Sequence, residues 1–278
     1  MILYRHRFGL IAHPLPKDAH GKTCFEKSPG HQRLERAFAP RLEDRGVGLL
    51  TGAPGVGKTT AIRNLCQRWP APDHRVISRS DTAVSPLELY RTLAAELGIK
   101  PSHRRGQLWS DIKKTLLELV DNRATLPLVV IDEAQHLGER FLSDLSGFLN
   151  FAFDSRDLFP LWLVGLPAIA RQLRLQLNAA LAMRIAVHVH LESLSREAFT
   201  TAIEHALKAA GATSRLLSDE AMEMLFRSSR GTPRLASKLL RAALRSAHEH
   251  DQSFVDEHRM QEAVDELALL STTPGARP

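Results

Sequence analysis

The stretch Val47-Gly-Leu-Leu-Thr-Gly52-Ala-Pro-Gly55-Val-Gly57-Lys58-Thr59 opens with an apolar run, Val47 to Leu50, of the kind that forms a short buried strand. It runs into Gly52-x-x-x-x-Gly57-Lys58-Thr59, and apolar Ala61, Ile62, Leu65, Cys66 and Trp69 then recur at helical spacing. Strand, glycine-rich turn and helix in that order form the context of a phosphate-binding loop, and they set it apart from a glycine-rich turn ahead of a surface helix. The glycines let the backbone bend with its N–H groups facing inward, and the helix adds its positive N-terminal end, so the two together cradle a polyphosphate. The loop residues Gly52, Ala53, Pro54, Gly55, Val56, Gly57, Lys58, Thr59 and Thr60 are therefore the nucleotide-binding candidates. Lys58 reaches the β- and γ-phosphates in this reading, and the Thr59 hydroxyl ligates Mg²⁺.

A second motif supports hydrolysis. Leu126-Pro-Leu-Val-Val-Ile131 is continuously apolar and ends in Asp132-Glu133-Ala-Gln-His136-Leu. A strand covered by helices on both faces needs unbroken rather than alternating apolarity. An acidic residue at the carboxyl end of a strand near a phosphate loop holds Mg²⁺, the role expected of Asp132. The adjacent Glu133 suits the orientation and polarisation of an attacking water. Capping of the next helix is the alternative use of the pair.

Outward from these motifs, residues 1–30 read as an irregular N-terminal arm and about 31–44 as a helix carrying Leu34, Phe38 and Leu42. Arg75–Ser78 is a second strand, and Ser85-Pro86 starts a helix that Gly98 ends. A basic break at 100–106 precedes another helix, and further strands are expected at Phe159–Val164 and Ile185–His190. From Ser195 the pattern is helical only, with starts at Ser195, Ser218, Thr232-Pro233 and about 255. The expected organisation is an α/β nucleotide-binding domain with a parallel sheet over 31–193, a small all-helical lid over 194–270 and a disordered tail over 271–278.

Composition narrows the function classes. With 44% hydrophobic and 24% charged residues, the 278-residue chain reads as an ordinary globular protein. No apolar run is long enough to span a bilayer, and the N-terminus lacks the pattern of a secretion signal, so no membrane association and a cytoplasmic location are expected. Two cysteines, Cys24 and Cys66, indicate neither a disulfide framework nor a metal site. A net charge of +6 fits a polyanionic partner. His188 and His190 alternate on a strand and so share a face, which reads as structural. Trp69, Trp109 and Trp162 lie among apolar positions and read as core. No acidic cluster of a DNA-cleaving enzyme is visible, so any strand transfer belongs to a partner.

The two motifs followed by a helical tail resemble the AAA+ ATPases across about residues 31–268. The resemblance implies a three-layer P-loop NTPase domain with a lid, acting with ATP and Mg²⁺. It implies that Arg184, just ahead of the last core strand, acts on the nucleotide of a neighbouring subunit. It also makes Gly231-Thr-Pro-Arg234 similar to the family's second sensor, with Arg234 touching the nucleotide of its own subunit. A basic residue in a first helical turn is electrostatically unfavourable, which suits one kept for a ligand. The first sensor, a polar residue past the fourth strand, is missing near Gly165-Leu166-Pro167, so the contact is absent or a neighbour replaces it.

Phe8-Gly9-Leu10, Leu49-Leu-Thr-Gly52 and Ile131-Asp-Glu-Ala-Gln-His-Leu137 are similar to ExeA-type ATPases and to transposition regulators that select target DNA for a transposase. The sequence carries no membrane segment or peptidoglycan-binding domain after the lid, and with its basic balance the transposition branch is expected. That branch implies double-stranded DNA, a transposase and self-assembly into a ring or a helical filament of about six subunits per turn as partners. The alternatives are an ATPase for envelope or secretion assembly and a DNA ATPase of the helicase-loader kind. Arg79, Lys100, His103, Arg104, Arg105, Lys113 and Lys114 are the candidate DNA contacts, with a solvated helix face as the competing reading. Arg234, Lys238, Arg241 and Arg245 recur on one side of the third lid helix.

Overall fold

The computed structural model describes residues 4–16, 28–68, 74–79, 86–122, 126–150 and 157–271. Cys24, Trp69, Ser85, residues 272–278 and the Arg79 side chain lie outside the described residues. The chain divides into a sheet unit, residues 29–54 and 61–191, and a helical unit, residues 1–28, 55–60 and 192–278.

Five strands form the sheet unit's core layer: β1 (Val47–Gly52), β2 (His74–Arg79), β3 (Leu126–Ile131), β4 (Leu161–Gly165) and β5 (Ile185–Leu191). They pair in the order β2-β3-β4-β1-β5, and every pairing is parallel. Parallel neighbours need crossovers, and the intervening chain supplies helices. These are α2 (Pro29–Asp44) ahead of β1, then α3 (Lys58–Arg68), α4 (Pro86–Glu96), α5 (Arg105–Asn122), α6 (Glu139–Phe148), α7 (Pro167–Leu173) and α8 (Ala179–Arg184). The short helix α8 before β5 is an element that the sequence pattern does not announce. β1 and β4 are buried along their whole length, as unbroken apolarity demands, while β5 alternates because it is an edge strand.

The core joins Leu108, Ile112 and Leu116 of α5 with Phe141, Leu145 and Phe148 of α6. Elsewhere Trp162 of β4 stacks on Phe38 of α2, ring centroids 5.7 Å apart and planes 25° apart. Gly48 makes that stack possible, because a Cβ there would lie 2.7 Å from the Trp162 indole.

In the helical unit α9 (Arg196–Ala209), α10 (Asp219–Ser229), α11 (Pro233–Glu249) and α12 (Glu257–Ser271) enclose a second core. Ser195 and Ser218 cap α9 and α10, accepting the backbone N–H of Ala198 and Ala221. The N-terminal segment belongs to this core. Its short helix α1 (Tyr4–Arg7) is followed by Phe8 and Leu10, both buried in the same cluster as Phe199, Ile203 and Leu239. Arg7 donates to Asp251 and to the Gln252 carbonyl, while Ser237 and Arg241 donate to the Leu15 carbonyl.

Candidate active site

The phosphate loop begins where buried β1 ends. Gly55 and Gly57 stand at φ +82° and +101°, a backbone region that L side chains rarely adopt. Helix α3 starts at Lys58 and has no acidic residue of its own in its first turn, which favours an anion at its positive end. Lys58 is only 8% exposed. An ammonium so withdrawn from water is placed to meet anionic oxygens rather than solvent.

Arg234 is exposed in the first turn of α11, behind Pro233, and its backbone N–H donates to the Gly55 carbonyl at 3.3 Å. A Cβ on Gly55 would lie 2.9 Å from the Arg234 Cβ and 3.0 Å from Thr232 Cγ2. The helical unit therefore contains both the loop glycine and the arginine of the sensor-like motif, held against each other.

In the sheet unit, β1 and β3 run parallel with β4 between them, so Gly52 and Asp132 emerge at the same carboxyl edge. Asp132 is 4% exposed, and its Oδ1 accepts the Glu133 N–H at 2.8 Å. Glu133 adopts the left-handed backbone, φ 52° and ψ 36°, and leads into one turn of 3₁₀ helix at Ala134–His136. A threonine hydroxyl and an aspartate carboxylate are oxygen donors of the kind that suits Mg²⁺, which takes one or two protein oxygens and completes its shell from phosphate and water. The loop's backbone conformation and the buried Lys58 likewise fit a nucleotide's phosphates.

The residue that sequence reasoning missed is Gln135. Its Nε2 donates to Glu133 Oε2 at 2.6 Å, and its Oε1 accepts the Leu166 N–H at 2.9 Å. Its backbone carbonyl also accepts from Gln172 Nε2 at 3.3 Å. The carboxamide thus lies at the end of β4, where the family pattern calls for a polar side chain and this chain has Gly165-Leu166-Pro167. A neighbour occupies that place.

Arg184 ends α8 directly before β5, with a terminal nitrogen 3.8 Å from Asp157 Oδ1. His188 and His190 do share a face: Nε2 of the first and Nδ1 of the second lie 2.8 and 2.9 Å from the Thr51 hydroxyl. Burial, then the neighbouring His190, Arg174 and Arg33, hold the His188 pKa below its ordinary value.

The basic candidates divide. Arg105 pairs with Asp144 at 2.8 Å and lies 4.7 Å over the Trp109 ring. Lys113 donates to the Asn150 carbonyl at 2.9 Å and stands over Trp109 and Phe148, where burial lowers its pKa. Those two charges fasten α5. The His103 ring lies 3.3 Å from the Arg91 guanidinium. Lys100, Arg104 and Lys114 are exposed, as are Lys238 and Arg245 on α11.

Residues 41–173 match the family model described as "AAA domain". The chain is 27% identical over 246 residues to general secretion pathway protein A of Aeromonas hydrophila, across 88% of this chain and 45% of that protein. It is 36% identical over 100 residues to the ATP-dependent target DNA activator B of Escherichia phage Mu, across 36% of this chain and 30% of the relative. The chain thus spans less than half the length of these curated relatives. Among solved structures, Cdc6p of Pyrobaculum aerophilum superposes with a TM-score of 0.75 at 17% identity, covering 95% of this chain and 75% of that one, a likeness of fold. No helix among the described residues is long and apolar enough to cross a membrane. The match over residues 41–173 and the likeness of fold agree on one architecture, that of an AAA+ P-loop NTPase.

Proposed function

We propose that this protein is an ATPase that binds ATP with Mg²⁺, assembles on double-stranded DNA and directs a transposase to its target. Gly52 to Thr60 hold the phosphates, Thr59 and Asp132 hold Mg²⁺, and Arg234 contacts the nucleotide of its own subunit. The bound ion supplies charge neutralisation to the phosphates. Glu133 orients water and takes its proton. Arg184, supplied to a neighbouring subunit, offsets the negative charge that spreads over the transferred group.

The observation that carries the catalytic part is the loop, with Gly55 and Gly57 in the left-handed region running into an α3 that starts with buried Lys58. The target-DNA part rests on the 36% identity to an ATP-dependent target DNA activator. A second reading, an ATPase for secretion or envelope assembly, is favoured by the longer match to general secretion pathway protein A.

Electron microscopy separates the two. Rings or filaments that need both double-stranded DNA and a non-hydrolysable ATP analogue support the first reading. Assembly that follows nucleotide and ignores DNA sinks it in favour of the second.

A further inference from the structure

Glu133 is held by its neighbours rather than left to find its own rotamer. Its backbone is in the left-handed region and its N–H is committed to Asp132 Oδ1, which fixes where the side chain leaves the chain. One carboxylate oxygen, Oε2, then accepts from Gln135 Nε2 at 2.6 Å, a short charge-assisted bond. The Gln135 carboxamide is itself oriented without ambiguity. Its Oε1 accepts the Leu166 N–H, and a backbone N–H can bond only the oxygen end, so the nitrogen end must face the carboxylate.

The space for this bridge comes from Gly165. A Cβ there would lie 2.6 Å from Gln135 Oε1 and 3.3 Å from the backbone nitrogens of Ala134 and Gln135. A serine, threonine or asparagine at the end of β4 would displace the carboxamide. The glycine and the glutamine therefore make one device: the backbone end of β4 is coupled to the Glu133 carboxylate through a side chain from the β3 side.

We infer that Gln135 is the positioning residue for Glu133, aiming its carboxylate and tying that aim to the end of β4 through Leu166. This inference rests on reading Glu133 as the group that activates water. Gln135 donates one hydrogen bond and accepts another, and it takes no proton.

The test uses the full chain with Q135A, Q135E, G165S and E133Q. In the nucleotide-free protein, amide hydrogen exchange at Leu166 should accelerate at least about tenfold in Q135A, where the acceptor is gone, and stay near wild type in Q135E, where a carboxylate oxygen replaces it. Exchange in β1 and β4 that matches the wild type shows that the variants are folded. In steady-state turnover Q135A should lower kcat by about ten- to a hundredfold, with KM and the affinity for a fluorescent ATP analogue within about twofold. G165S should reproduce the Q135A phenotype. Unchanged kcat in Q135A beside an inactive E133Q would overturn the inference while leaving the role of Glu133 standing. Unchanged turnover in E133Q would remove both. Loss of nucleotide affinity in Q135A equal to its loss of kcat would also overturn the inference, because the residue would then be shaping the phosphate site.

Discussion

At Glu133 a non-glycine residue occupies the left-handed region, at a cost of about 1 kcal/mol or more that the surrounding bonds must offset. Backbone strain of this kind at the end of a strand accompanies residues whose direction matters more than their comfort. E133Q should therefore lower turnover by about 10²–10⁴-fold while leaving ATP affinity within about twofold, measured by phosphate release and analogue fluorescence. K58A acts on binding instead. Loss of a charge-assisted contact to phosphate should weaken ATP by about 10–100-fold in an equilibrium titration. Gly55 is a third residue with a distinct outcome. A methyl group at φ +82° meets Arg234 and Thr232, so G55A should lower both thermal stability and nucleotide affinity. Cys66 is buried on α3, and burial pushes its thiol up to about 12. In a C24S background it should resist thiol reagents at pH 8 until the protein unfolds, which rapid-mixing labelling with and without denaturant reads directly. Lys58, Thr59, Asp132 and Glu133 stand out as candidates from spacing alone. Gln135 was not, because the bond that defines it joins residues 31 apart and no local pattern encodes which loop a carboxamide will reach.

Among the elements, β1 and β4 carry the clearest agreement between apolar runs and buried strands, since both faces of each are covered. The pattern leaves out which faces meet. Gly48 reads as an ordinary strand glycine, yet Trp162 packs where its side chain would be. G48A should cost about 1–3 kcal/mol through overpacking, seen as a lower midpoint in chemical denaturation with the slope unchanged. Between β1 and β5, the Thr51 hydroxyl lies between the two imidazoles and can give its hydrogen to only one of them. The folded state depresses the His188 pKa, so the unfolded chain binds its proton first as pH falls. Stability from this group is complete above about pH 6.5 and is lost below it. Denaturation midpoints should therefore fall between pH 7.5 and 5.5, and H188Q should flatten that dependence. Helix α5 carries part of the charge run offered above as a nucleic-acid surface. There Arg105 and Lys113 meet Asp144, Asn150 and the Trp109 ring, and Asp144 and Asn150 come from outside the helix.

For the whole molecule, the proposed association with DNA carries its own signature. A protein that tracks phosphates loses affinity steeply with salt, by about tenfold or more between roughly 50 and 200 mM for a few contacts. Fluorescence anisotropy with random double-stranded DNA and an ATP analogue should show that slope. The exposed Lys100, Arg104 and Lys114 should reduce it when changed together to alanine, whereas R105A should act mainly on stability. The division into strand–helix alternation and a helical tail could be read along the chain, because the period of apolar residues switches near Ser195 and local periodicity is a property of neighbouring residues. The same holds for the phosphate loop and the acidic pair, whose chemistry depends on residue type at fixed short spacing. The burial of Phe8 and Leu10 among the C-terminal helices could not be read that way, nor could the strand order β2-β3-β4-β1-β5, the seat of Arg234 beside Gly55 or the Gln135 bridge. Each depends on which distant segments share a core or an edge, and only the packing of the folded chain decides that.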